Sequence, residues 1–361
     1  MSHLEEHPLN PRVGAVAEGR SINAEDRSFD SGDWYDKLDG DMRRVLDALA
    51  DLHPQAIETL DPVTARANPT PADAAHALLR QSKLDRVEDL GVETQDLFIP
   101  GPAGPIPARL YKRASARSAK PLPVVAYWHG GGFVIADLDT YDASPRSIAR
   151  FADCIVVSCH YRQAPENRFP AAHEDAFAAY RWIVQNAASF GGDPARVAVM
   201  GESAGGNLAA NVAIQARNTG FTPPIYQVLV YPVAGSDMTT PSYVENADAR
   251  PLNKPMMEWF VQHYLGDPAL AKDPRIDLLA ANLAGLPDAT VICAELDPLR
   301  TEGERLAEKL EQSGATVRHH TFEGVTHEFF GMGLVVKDAA MAEQMAAHNL
   351  KRAFGTAVLP F

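Results

Sequence analysis

Five short runs, apolar at almost every position, recur through the chain at residues 124–128, 154–159, 197–200, 225–231 and 289–294, and the more polar 317–322 makes a sixth candidate strand. A strand covered on one face alternates apolar with polar residues, whereas an unbroken apolar run of this length is a strand covered on both. Most of these runs are separated from the next by a stretch long enough for a crossover helix, which predicts a mainly parallel sheet with helices on both faces. The expected fold class is therefore α/β. Ahead of these runs, the alternating segments 92–99 and 106–111 flank a Gly-Pro-Ala-Gly-Pro turn and predict an antiparallel hairpin.

Over 361 residues, 46% hydrophobic and 22% charged, the chain can bury a large core, and no repeat or Pro/Ser linker cuts it in two. Residues 1–40 are polar and punctuated by proline and glycine, so a flexible lead is expected there. Two amphipathic helices follow, one over 42–52 and one over 71–79 with Thr70 as N-cap and Pro71 at the first helical position. The expected division is a lead with N-terminal cap helices over 1–90 and a catalytic domain over 91–361. Residues 233–288 break the alternation of strand and helix and carry an apolar stripe of Met256, Met257, Phe260, Val261, Tyr264 and Leu265. That stripe reads equally as a core helix or as part of a cap over a substrate.

Charge narrows the partners. With 33 Lys and Arg against 47 Asp and Glu the net charge is −14, a field that repels phosphate backbones and anionic lipid surfaces. Nucleic acid is excluded as an expected partner, and with no apolar run of about 18 residues neither is stable membrane insertion expected. The amino terminus lacks the basic and apolar regions of a signal peptide. Cys154, Cys159 and Cys293 all lie in apolar runs and read as buried thiols, which fits a reducing compartment. A cytoplasmic protein acting on small molecules is the expectation.

The sharpest local pattern is Gly201-Glu202-Ser203-Ala204-Gly205-Gly206-Asn207, after the run 197–200 and before a helical stretch over 208–216. A strand that turns abruptly into a helix brings two chain segments so close that small residues must flank the serine, whose hydroxyl is then held at the carboxyl edge of the sheet. The helix behind it offers free N–H groups and a positive dipole end to a developing oxyanion. Upstream, His129-Gly130-Gly131-Gly132-Phe133 closes the run 124–128. Successive glycines let N–H groups face a cavity unobstructed, and acyl transfer needs donors about 3 Å from the oxyanion. Gly131, Gly132 and Ala204 are the expected donors. A phosphate-cradling loop and a plain flexible turn are the alternatives, the first unsupported by any Gly-x-x-x-x-Gly-Lys-Ser/Thr pattern.

A serine nucleophile needs a base, and the base needs a carboxylate to fix its tautomer. Of 12 histidines, His327 stands just beyond the last expected strand, at the sheet end where active-site loops gather. Asp297, followed by Pro298 and just past the run 289–294, is the expected orienting acid, with Glu295 and Glu302 as rivals. The order Ser203, Asp297, His327 is the one a Gly-x-Ser-x-Gly hydrolase requires.

Taken with Tyr161-Arg162-Gln163-Ala164-Pro165-Glu166, Gly191-Gly192-Asp193-Pro194, Tyr231-Pro232 and Asp297-Pro298-Leu299-Arg300, these motifs resemble the hormone-sensitive-lipase-like family of α/β-hydrolase esterases. The resemblance runs from about the hairpin to the carboxyl terminus. It implies an α/β-hydrolase fold with a helical cap and a serine carboxylesterase acting on short- to medium-chain esters, without metal or organic cofactor. Ser203 would be the nucleophile, His327 the base and then the acid, and Asp297 the orienter. His129, Arg162 and Glu166 would be architectural. A confined acyl pocket follows from the cap, with Phe133, Met256, Trp259 and Phe260 as expected lining residues, and a homodimer is compatible. The same machinery acting on an amide or lactone is the alternative, and a non-catalytic binding protein of this fold ranks below both. Two positions depart from the family pattern: Glu202 stands where Asp or Thr is usual, and Thr301 where an acidic residue is usual.

Overall fold

A computed structural model describes residues 33–83, 91–115 and 120–357. The greater part of the expected lead, residues 1–32, lies outside the described residues. Eight strands form one sheet: β1 (Val92–Gly101), β2 (Gly104–Arg113), β3 (Leu122–Trp128), β4 (Ile155–Cys159), β5 (Gly192–Glu202), β6 (Gln227–Val230), β7 (Ala289–Leu296) and β8 (Val317–Thr326). Their spatial order is β1-β2-β4-β3-β5-β6-β7-β8; β1 and β2 form the antiparallel hairpin, β2 runs antiparallel to β4, and the other pairs are parallel. Every residue of β3 and β4 is buried. Alternate residues face two cores: Val124, Ala126 and Trp128 enter one, Val125 and Tyr127 the other. Two faces of side chains buried at once explain why these strands read as continuous apolar runs.

The crossover helices are α5 (Ala143–Ala152), α6 (Ala171–Asn186), α7 (Ala204–Thr219), α10 (Arg300–Gln312) and the terminal α11 (Lys337–Ala353). Ala176, Leu208 and Leu306 place α6, α7 and α10 in the first core; Ile148 and Ala346 place α5 and α11 in the second. Both faces are thus covered, as the apolar runs require.

Ahead of the sheet lie α1 (Asp33–Asp36), α2 (Gly40–Asp51), α3 (Pro62–Arg66) and α4 (Pro71–Gln81). Two helices were expected there; α1 and α3, of 4 and 5 residues, are too short to draw a helical period in the sequence. The N-cap at Thr70 is as expected and forms a full capping box, its hydroxyl taking the Asp73 N–H while the Asp73 carboxylate takes the Thr70 N–H. Within 233–288 only α8 (Pro241–Glu245), α9 (Lys254–Leu265) and a 3-10 turn at Pro268–Lys272 are helical. The stripe predicted there belongs to α9, which meets the early segment directly: Trp259 Nε1–H donates to Leu60 O at 3.0 Å.

Glu166, expected to be architectural, is exposed and serves as a partner of Arg66 on α3, which reaches its two carboxylate oxygens at 2.8 and 2.7 Å. The same guanidinium donates to Val134 O and Ala164 O, pinning the early segment to the loops beyond β3 and β4.

Candidate active site

β5 ends at Glu202 and α7 begins at Ala204, so Ser203 alone makes the turn, with φ 55° and ψ −118°. That left-handed conformation is unusual for a residue with a Cβ and is held by its surroundings, including Ser203 N–H to Val230 O at 2.9 Å. The flanking glycines are required by close approach. A Cβ on Gly201 would stand 2.0 Å from Gly205 O, and one on Gly205 would stand 2.0 Å from Trp128 O.

β3 lies beside β5, with Trp128 paired to Gly201, so the loop leaving β3 emerges next to Ser203. Gly131 and Gly132 hold φ 90° and 57°, and together with Ser203 they line one cavity. Among the described residues, no protein group accepts from the Gly131, Gly132 or Ala204 N–H. His129 anchors this loop: Nδ1 meets Gly130 O at 2.8 Å and Nε2 meets His160 Nδ1 at 3.0 Å. Burial, with the neighbouring His160, pushes its pKa down to about 3, so the ring is neutral. Tyr161 Oη–H reaches both His129 O and Gly130 O. Arg162 is held by the buried Asp175.

Strand register brings the other two groups together. Leu296 of β7 pairs with Thr326 of β8, and the next residue on each strand is Asp297 and His327. Asp297 Oδ2 meets His327 Nδ1 at 2.7 Å, and Asp297 Oδ1 accepts the Leu299 N–H at 2.8 Å, which the turn at Pro298 brings round. Both side chains are buried. Burial alone would depress the imidazole; the Asp297 charge and hydrogen bond, helped by Glu328 and Glu202, outweigh it and raise the His327 pKa above 6.5. The rival carboxylates are engaged elsewhere, Glu295 with the Gly324 N–H at 2.8 Å and Glu302 with the Ala234 N–H at 2.8 Å. His327 and Ser203 line the same cavity without a hydrogen bond between them, a contact that such sites commonly tighten only around substrate.

The two departures from the family pattern are accommodated locally. Glu202 is fully buried and accepts from Tyr127 Oη and Tyr231 Oη, each at 2.6 Å; burial carries its pKa up to about 7 against those bonds. Thr301 Oγ1 accepts the Ser242 N–H while the Thr301 N–H donates to Ser242 Oγ, which ties α10 to α8.

The cavity over Ser203 holds about 190 Å³. Of the residues expected to line it, Met256 and Phe260 do, and Phe133 and Trp259 do not. Phe133 turns away to stack on Tyr264, with ring centroids 4.1 Å apart, and Trp259 packs against Phe260 and His263 with its N–H on Leu60. Sequence reasoning missed Pro54, Ile57, Pro69, Tyr141 and Glu328, which also face this cavity. The prolines mark loops, but neither loop carries a periodic signal that would aim it at the site. Among the described residues, no group of three or more His, Cys, Asp or Glu is placed to hold a metal ion, and no helix is long and apolar enough to cross a membrane.

A family model described as the α/β-hydrolase fold matches residues 125–331. The esterase LipI of Mycobacterium tuberculosis is 44% identical over 249 residues, 68% of this chain and 78% of its own. An ethyl acetate hydrolase of Pseudomonas putida is 36% identical over 270 residues, 74% of this chain and 83% of its own. Among solved structures, the hyperthermophilic esterase of the archaeon Pyrobaculum calidifontis superposes with a TM-score of 0.79 at 35% identity, covering 89% of this chain and 99% of that one.

Proposed function

Because this chain belongs to the hormone-sensitive-lipase-like family of α/β-hydrolase esterases, we propose that it hydrolyses short- to medium-chain carboxylic esters through an acyl-enzyme on Ser203. The chain is a carboxylic-ester hydrolase, and its partners are small-molecule esters. Ser203 Oγ attacks the ester carbonyl as His327 Nε2 takes its proton. Asp297 holds the proton-bearing Nδ1 and stabilises the imidazolium. The carbonyl oxygen, now an oxyanion, settles onto the N–H groups of Gly131, Gly132 and Ala204. His327 then protonates the leaving alcohol, and on the return half-cycle it activates the water that releases the acid.

The observation that carries this reading is the paired register of β7 and β8, which sets Asp297 against His327 at the cavity where Ser203 and the Gly131–Gly132 backbone also stand. Preorganised donors of this kind are worth roughly 10² to 10³ each in turnover. The likeness to an ethyl acetate hydrolase supports small acyl groups. The early helices with α9 act as the cap, and the three buried free thiols support a reducing, cytoplasmic setting. A homodimer belongs to the same reading, and sedimentation at two concentrations tests it.

Initial rates on p-nitrophenyl esters from acetate to palmitate, for the parent and Ser203→Ala, test the function. Hydrolysis that favours the shorter chains and vanishes in the variant is the expected result. A folded parent inactive on the whole series would overturn it.

A further inference from the structure

A second cavity of about 160 Å³ adjoins the one over Ser203, and three residues, Thr140, Tyr141 and Glu328, line both. The hydrogen-bonded part of that shared wall is Tyr141 Oη to Glu328 Oε1, at 2.5 Å. Glu328 follows His327 directly and takes φ 68°, a left-handed conformation that costs a residue with a Cβ and suits glycine. Tyr141 Oη also packs on the glycine loop: a Cβ on Gly130 would stand 2.2 Å from it. A strained backbone and a hydrogen bond thus hold two side chains in the wall that the cavities share.

Beyond the wall the second cavity is mostly apolar, lined by Ala75 and Leu79 of α4 and by Phe151, Phe330 and Met332. Of the charged groups at its edge, Arg146 pairs with Asp142, Asp139 with Arg109, Glu343 accepts from Ser147 Oγ and the Gly333 N–H, and Arg150 lies over the Phe151 ring. A lining with this apolar share suits a hydrocarbon chain.

We propose that Tyr141 and Glu328 form a specificity-determining partition, which ends the catalytic cavity at short esters and opens onto a second cavity suited to the hydrocarbon tail of longer ones. This rests on the esterase reading and deepens it by assigning the length limit to named side chains. The tail belongs to either the acyl or the alcohol half of the ester, and the test separates the two.

Two substrate series are needed, p-nitrophenyl esters of lengthening acid and acetate esters of lengthening alcohol, assayed on the parent, Glu328→Gly and Glu328→Gln. Glycine fits the left-handed position and removes the wall; glutamine keeps its size and can still accept from Tyr141. In Glu328→Gly the ratio of kcat/KM for long to short chains should rise about tenfold in one series, the gain from burying about two further methylenes. In Glu328→Gln it should stay within about twofold of the parent. An unchanged ratio in Glu328→Gly, or an equal rise in Glu328→Gln, would overturn the partition. Should Glu328→Gly fail to fold, Tyr141→Ala opens the same wall from the opposite side and is read in the same way. A parent inactive on every ester sinks the esterase reading alone; calorimetric binding of carboxylates from acetate to palmitate then reads the partition, which predicts tighter binding of the longer acids in the opened variant and is refuted by equal binding.

Discussion

Replacing Asp297 by Asn tests the proposed base at one atom. In the parent, Asp297 Oδ1 accepts the buried Leu299 N–H at 2.8 Å and Oδ2 faces His327 Nδ1 at 2.7 Å. An asparagine must keep its oxygen on Leu299, because turning its NH₂ group there would leave a buried backbone donor unsatisfied at about 1–3 kcal/mol. The NH₂ group then points at Nδ1, which can accept from it only when unprotonated. The ring proton is forced to Nε2, the atom that has to take the serine proton. Volume and burial barely change, so the fold should survive, while turnover should fall about 10⁴-fold, roughly 5 kcal/mol of barrier, as in the serine-protease template. The assay is kcat on a short p-nitrophenyl ester with a thermal melt alongside. Turnover within tenfold of the parent in a folded variant would refute the reasoning and hand the role to Glu295 or Glu302, despite their bonds to Gly324 and Ala234.

Further predictions follow from the same geometry. The kcat/KM profile should show an acid limb with an apparent pKa above 6.5, since protonated His327 cannot accept a proton, and Asp297→Asn should move that limb to lower pH; a limb unmoved in the variant would contradict the assignment. Glu202 has its folded pKa raised from 4.5 to about 7, so the native state holds more protons than the unfolded chain between those values, and stability should decline as pH climbs through that window. Glu202→Gln, which can still bond both tyrosines, should flatten this decline by about 3 kcal/mol, read as Tm against pH. The slope should shrink but not vanish, because Glu302 and Glu343 are raised the same way. Gly132→Ala would place a Cβ 2.3 Å from the Phe260 ring at φ 57°, displacing one oxyanion donor; kcat should fall roughly 10²- to 10³-fold, and an active variant would remove Gly132 from that role.

The sheet and the reacting groups were legible because each writes a local signature. A strand buried on both faces is apolar throughout, and a turn as tight as that at Ser203 admits only glycine at Gly201 and Gly205. Asp297 was legible as one of three carboxylates; what singles it out is the pairing of Leu296 with Thr326, a register that no local pattern encodes. The pocket was the least legible part. Met256 and Phe260 lie on the apolar helical stripe and face the cavity, whereas Trp259, expected beside them in the pocket, is turned toward Leu60 by its position on α9. Arg66 and Glu166 meet across a hundred residues of chain, and Tyr141 and Glu328 across nearly two hundred. Such contacts depend on how loops from different strands converge, and single residues in loops carry no periodicity to announce them.

Chemical labelling of the nucleophile tests the central claim most directly. The protein would be treated with a diethyl phosphate ester carrying a p-nitrophenyl leaving group, which phosphorylates activated serines, and analysed by intact mass and peptide mapping. One diethylphosphoryl group per chain, on Ser203, with matching release of p-nitrophenolate and no labelling of Ser203→Ala, is the predicted result. Labelling at another residue, or an unlabelled but folded parent, would contradict it.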